Sequence, residues 1–227
     1  MKIGEKMKNK IFTAVFIVAL VLFIITFSIG LPIYCRFFYY LQIDALGLPE
    51  ATGYSFEQIK TAYDEVLNYL TLPNQPFGTG VFIYSEEGAS HFADCKGLFN
   101  LNLIVLLTSS AILLLTFILQ KKKVICLCRP FSMHPAFISA VSIFAIFFII
   151  LIFAMIDFSA VFVVFHQIFF PGKTNWQFSP YETEIILALP EQFFMNCAIL
   201  IGVSIFAFCL SIIITQLIKR KKNKDKE

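Results

Sequence analysis

Four stretches of the chain, residues 11–31, 101–119, 137–156 and 195–217, are almost wholly apolar and contain no Lys, Arg, Asp or Glu. Each is close to the ~20 residues that a helix needs to cross ~30 Å of hydrocarbon, so the pattern predicts four transmembrane helices. Between the first two runs the period changes. Phe56, Ile59, Tyr63, Val66, Leu67 and Leu70 fall on one helical face, Ser55-Phe-Glu-Gln58 ahead of them matches a capping box, and Pro73 stops the helix. That apolar stripe suits the lipid surface or packing within the segment, and both readings stay open. The β-branched and aromatic residues of Gly78-Thr-Gly-Val-Phe-Ile-Tyr-Ser85 predict a short strand. Ser179-Pro180-Tyr181-Glu182 is a second capping-box pattern and predicts a helix over 181–189, stopped by Pro190. The expected fold is an α-helical membrane protein, one membrane domain over 1–227. Four transmembrane helices carry a small α+β extracytoplasmic cap built from 36–99 and 157–194.

Composition agrees: 58% of the 227 residues are hydrophobic, mean hydropathy is +0.79, and 28 residues are Phe. A soluble domain is nearer 45–50% apolar. Charge adds a direction. Of 18 Lys and Arg, only Arg36, Lys60, Lys96 and Lys173 lie in the segments after the first and third runs, whereas 12 of 15 acids lie there. The positive-inside rule then predicts cytoplasmic termini and an outward-facing cap. The basic ends read as topology signals and contacts to anionic membrane lipids, so the net charge of +3 gives no reason to expect nucleic acid. The first run is longer than a signal-peptide core and lacks a small-residue cleavage site, which predicts a retained anchor. The six cysteines show no CxxC spacing; a Cys35–Cys95 bridge is possible, but free thiols are the commoner state.

The stretch Ser85–Phe99 is unusually polar for the entrance to a span. It holds His91, Asp94, Cys95 and Lys96. The third run leads on through Asp157 into Phe165-His166-Gln-Ile-Phe-Phe-Pro171-Gly172-Lys173-Thr-Asn175-Trp176. A short loop joins the second and third runs, so antiparallel packing brings His91 and His166 to one pocket. Imidazoles suit proton transfer near neutral pH. Asp94, at i+3 from His91, can orient that ring; Lys96 and Lys173 can meet a phosphate or oxyanion. Rival readings use the same residues: belt histidines with no chemistry, or a zinc set of His91, Asp94, Cys95 and His166. Trp176 alone reads more readily as a membrane anchor than as a substrate platform.

The run His91-Phe-Ala-Asp94-Cys95-Lys96-Gly-Leu-Phe99, the run Phe165–Trp176, Leu189-Pro190-Glu191-Gln-Phe193-Phe194 and Arg36-Phe-Phe-Tyr39-Tyr40 resemble the bacterial lipoprotein intramolecular transacylases, four-span membrane proteins. The resemblance covers nearly the whole chain. It implies acyl transfer from the sn-2 position of a lipoprotein's diacylglyceryl-cysteine to its own α-amine, at the outer leaflet. His91 and His166 would be the acid–base pair, Asp94 would orient His91, and Lys96, Lys173, Asn175 and Trp176 would support substrate or oxyanion. The partner is a diacylglyceryl-modified lipoprotein, and no metal or soluble cofactor is implied. The family pattern often has an aliphatic residue where Cys95 stands, which sets Cys95 aside as nucleophile or ligand. A non-enzymatic membrane protein whose cap binds lipid or a partner protein is the alternative.

Overall fold

The structure, a computed structural model, describes residues 3–129 and 132–224. Among the described residues nine helices follow in order: α1 (Ile3–Tyr34), α2 (Arg36–Ala45), α3 (Leu48–Thr52), α4 (Phe56–Thr71), α5 (Glu86–Lys121), α6 (Pro135–Ile156), α7 (Phe158–Phe169), α8 (Ile185–Ala188) and α9 (Glu191–Lys224). The four apolar runs lie inside α1, α5, α6 and α9, the helices long and apolar enough to cross a membrane. At ~1.5 Å per residue α5 is ~54 Å long, well beyond ~30 Å of hydrocarbon. Its first turns, with His91 to Cys95, therefore overhang the apolar run that starts at residue 101.

Chain contacts divide the molecule into two units. The first, made from 1–29, 103–151 and 201–227, packs Ile24, Ala140, Ile143, Ile205 and Cys209 into a small core. Small residues let helices meet there: Ser28 Oγ donates to the Ile24 carbonyl at 2.8 Å and lies 3.0 Å from Ser204 Oγ, whose hydroxyl can donate to it. The connector after α5 is pinned to α1, since Cys126 N–H donates to Asn9 Oδ1 and Cys128 N–H to Thr13 Oγ1.

The second unit comprises 30–102 and 152–200. Its core joins Tyr39 and Ile43 of α2, the stripe Ile59, Ala62, Tyr63, Val66, Leu67 and Leu70 of α4, Phe82, Phe92 of α5, and Ile185, Ala188, Leu189 and Phe193. The α4 stripe is thus buried within the unit, which decides between its two readings. The predicted capping box forms: Ser55 Oγ accepts from Gln58 N–H while Gln58 Oε1 accepts from Ser55 N–H. The helix ends at Thr71, ahead of Pro73. Arg36 ties α2 to α4 through Asp64 and Asn68, at 2.6 Å each, and the Tyr40 hydroxyl joins at Asp64.

Two expectations are corrected. Among the described residues there is no strand, so the cap is helical with irregular connections, not α+β. Residues 78–85 find no ladder because side chains take their backbone donors. Ile83 N–H goes to Glu184 Oε2, Ser85 N–H to Thr183 Oγ1, and Thr79 Oγ1 caps the Phe82 carbonyl. Gly80, at φ +57, turns the chain where a Cβ would meet Ala62 at 3.0 Å. The second correction is at 181–189. The Ser179 carbonyl accepts from both Glu182 and Thr183 N–H, and this turn delays the helix, so that only Ile185–Ala188 coils. The six cysteines are free, so Cys35 and Cys95 are not bridged.

Candidate active site

The site lies within the second unit and draws on the overhang of α5, on α7, and on residues 170–178. Asp157 starts α7 as its N-cap, its Oδ1 accepting from Ala160 N–H at 2.9 Å. The Phe170 N–H closes the helix on the His166 carbonyl, and Pro171-Gly172 (Gly172 at φ +74) breaks it. The chain then turns back, which places Lys173, Asn175, Trp176 and Phe178 around the histidines.

His91 and His166 do meet: their ring centroids are 5.8 Å apart, and each residue is only 6% exposed. Trp176 stacks on His166 at 4.6 Å, with its indole N–H on the Lys173 carbonyl. Phe170 and Phe178 stand edge-on to His91, at 4.9 and 5.5 Å. His166 Nδ1 lies 2.7 Å from the Phe162 carbonyl oxygen. A carbonyl only accepts, so this nitrogen carries the hydrogen and Nε2 keeps the lone pair of the neutral ring. His91 Nε2 lies 3.4 Å from Cys95 Sγ, and its Nδ1 is enclosed with no hydrogen-bond partner.

Asp94 does not hydrogen-bond His91, contrary to the expected orienting role. Its carboxylate takes the Lys173 ammonium on one oxygen and Asn175 Nδ2, at 3.1 Å, on the other. Asn175 Nδ2 also reaches Ser90 Oγ at 3.4 Å. The trio clasps the 170–178 segment to α5. Lys96 is elsewhere: two residues past Asp94 it leaves that helix face, and its ammonium sits 4.2 Å over the Tyr69 ring. Sequence reasoning missed Phe162, Phe170 and Phe178. Phe162 was within reach, since at i−4 from His166 its carbonyl lies where a side-chain donor of that residue bonds back onto its own helix.

Electrostatics follow from this enclosure. Burial, with repulsion from His166 behind it, pushes His91 down to about 4. Burial also lowers His166, opposed by its bond to the Phe162 carbonyl. The Lys173 hydrogen bond holds the Asp94 carboxyl below its ordinary value. Burial raises the Cys95 thiol to about 12, which does not suit a thiolate nucleophile. Among the described residues no three His, Cys, Asp or Glu side chains gather into a metal set.

A family model described as lipoprotein intramolecular transacylase Lit matches residues 14–194. Solved structures resemble the chain over nearly all its length. That of the membrane-integral lipoprotein intramolecular transacylase Lit from Bacillus cereus shares 24% identity at TM-score 0.83, covering 96% of this chain and 99% of its own. Two variants of that enzyme, one histidine replaced by arginine or by alanine, share 25% identity at TM-scores of 0.75 and 0.74. The first covers 99% of this chain and 97% of its own, the second 96% and 98%. No curated sequence matches the chain.

Proposed function

The chain belongs to the lipoprotein intramolecular transacylase family, and on that premise we propose that it moves the sn-2 acyl chain of a diacylglyceryl-modified N-terminal cysteine onto that cysteine's own α-amine. The product is a lyso-form lipoprotein, N-acylated and S-monoacylglycerylated. The observation that carries this reading is the pair of buried imidazoles 5.8 Å apart, one with its Nδ1 committed to the Phe162 carbonyl.

The chemistry needs a base. An α-amine has a pKa of ~7.7–8.0, so the minor neutral fraction, its first proton already lost to water, is what attacks. A base must take the second proton as the new bond forms. His166 supplies a bare Nε2, kept uncharged by burial. As the amine nitrogen bonds to the ester carbonyl carbon, its proton passes to His166 Nε2. The carbon–oxygen bond to glycerol then breaks, and the glyceryl oxygen takes a proton from His91. The net change is one proton moved from nitrogen to oxygen, and proton exchange between the two rings resets them. Amine and ester belong to one molecule, so holding them in register supplies much of the rate. Asp94, Lys173 and Asn175 serve by clasping the segment that walls the pocket, and Trp176 sets the plane of His166. Lys96 is assigned no part. The distribution of Lys and Arg supports cytoplasmic termini and a site at the outer leaflet.

The activity is tested by expressing the protein in bacteria whose lipoproteins lack the lyso form and taking mass spectra of their N-terminal peptides. N-acyl, S-monoacylglyceryl cysteine is expected. Diacylglyceryl cysteine with a free amine would reject the transacylase reading and favour a non-enzymatic, lipid- or partner-binding cap.

The depressed histidines also shape the pH profile. Below the amine's pKa, log kcat/KM falls with slope one as the amine protonates. Protonating a catalytic histidine adds a second unit of slope. Because burial lowers both histidines, the steepening to slope two is expected only below pH 6.5. Steepening centred at or above pH 6.5 would mean that the catalytic histidine titrates as an ordinary, solvated imidazole or higher.

A further inference from the structure

One nitrogen of the site is enclosed and unmatched. His91 is 6% exposed, its Nδ1 has no partner, and its Nε2 faces Cys95 Sγ at 3.4 Å, one helical turn on. Buried polar atoms are normally matched, and an exception at a reactive site calls for a reason. A neutral imidazole carries one N–H and one lone pair, so whatever Nε2 does fixes Nδ1. Two arrangements fit the 3.4 Å contact. A ring N–H pointed at sulfur uses a weak acceptor, whereas a thiol hydrogen pointed at the ring uses a strong one, the imidazole lone pair. The second arrangement leaves the ring's hydrogen on Nδ1.

We propose that Cys95 is a positioning residue whose thiol donates to His91 Nε2 and holds His91 in its Nδ1–H tautomer, with that N–H left for the substrate oxygen. The other surroundings of the ring do not compete. Asp94 is taken by Lys173 and Asn175, and the Phe170 and Phe178 rings offer no acceptor of comparable strength. The two histidines then present opposite functions. His166 has its hydrogen buried on the Phe162 carbonyl and a lone pair left on Nε2; His91 has its lone pair occupied by the thiol and, on Nδ1, a hydrogen that is enclosed with no acceptor until substrate enters. That is the complement acyl transfer requires, a proton acceptor for nitrogen and a proton donor for oxygen. Cys95 itself is neither nucleophile nor ligand and acts only through His91. The use of that N–H rests on the transacylase reading; the tautomer does not.

The test compares Cys95→Val, which removes the donor, with Cys95→Ser, which keeps one. Histidine-labelled protein in micelles is studied by nitrogen-15 NMR at pH 7.5, with His91 assigned by its loss in His91→Ala. Wild type and Cys95→Ser are expected to show the hydrogen on Nδ1, and Cys95→Val a mixture or Nε2–H. Turnover of a diacylglyceryl lipopeptide should fall about five- to tenfold in Cys95→Val, the worth of one net hydrogen bond, and return most of the way in Cys95→Ser. If valine upsets folding, Cys95→Ala takes its place. An unchanged tautomer in the donor-less variant, or Cys95→Ser behaving as that variant does, would overturn the proposal. Absence of product from the wild type alongside the expected tautomer shift would reject the transacylase reading and leave the positioning role standing.

Discussion

Replacing His166 by alanine is expected to lower the transacylation rate of purified protein by ~10²–10⁴, the usual worth of a positioned general base. The substitution takes away the bare Nε2, the ring's bond to the Phe162 carbonyl, and the surface on which Trp176 stacks. The cap should stay folded, because its core of α2, α4, α8 and the first turn of α9 does not include His166. A rate within tenfold of wild type, measured on a diacylglyceryl lipopeptide, would remove His166 from the mechanism. An unfolded cap, seen by circular dichroism or proteolysis, would instead make it a structural residue.

The largest stability effect is expected at Tyr39. Its side chain is fully buried, stacks on Tyr63 at 3.8 Å, meets Phe193 edge-on at 5.1 Å, and donates its hydroxyl to the Ala188 carbonyl at 2.7 Å. Tyr39→Ala empties the centre of the cap and strands that carbonyl, at a cost of ~3–5 kcal/mol on the scale of large aromatic truncations. Tyr39→Phe keeps the ring packing and leaves only the carbonyl unmatched, costing about 1–3 kcal/mol. Chemical unfolding in detergent, followed by near-ultraviolet signals of the cap tyrosines, measures both. Equal losses in the two variants would mean that the hydrogen bond, not the packing, holds α8 on α2.

The spans were legible because four uncharged runs of the right length admit little else. The start and stop of α4 were legible because Ser55, Gln58 and Pro73 act on their immediate neighbours. The strand predicted over 78–85 does not form, for the opposite reason. Its composition is that of a strand, but the N–H groups of Ile83 and Ser85 are taken by Glu184 and Thr183, about a hundred residues away, and that of Gly80 by Glu65. The site divides in the same way. The meeting of His91 and His166 could be foreseen from two spans joined by a short loop. The pairing of Asp94 could not: helical spacing pointed it at His91, while Lys173 and Asn175, brought round by the break at Pro171-Gly172, supply stronger partners. Cys95 looked like a bystander in sequence, and only its contact with His91 Nε2 gives it a use.

The transfer within one lipoprotein is the core of the account, and an isotope crossover measures it. Purified protein is given two diacylglyceryl lipopeptides together, one with heavy acyl chains and a heavy peptide, the other unlabelled. The N-acylated products are then weighed. Only heavy acyl on heavy peptide and light acyl on light peptide are predicted, because each amine receives its own sn-2 chain. Heavy acyl chains on light peptides would contradict an intramolecular transfer.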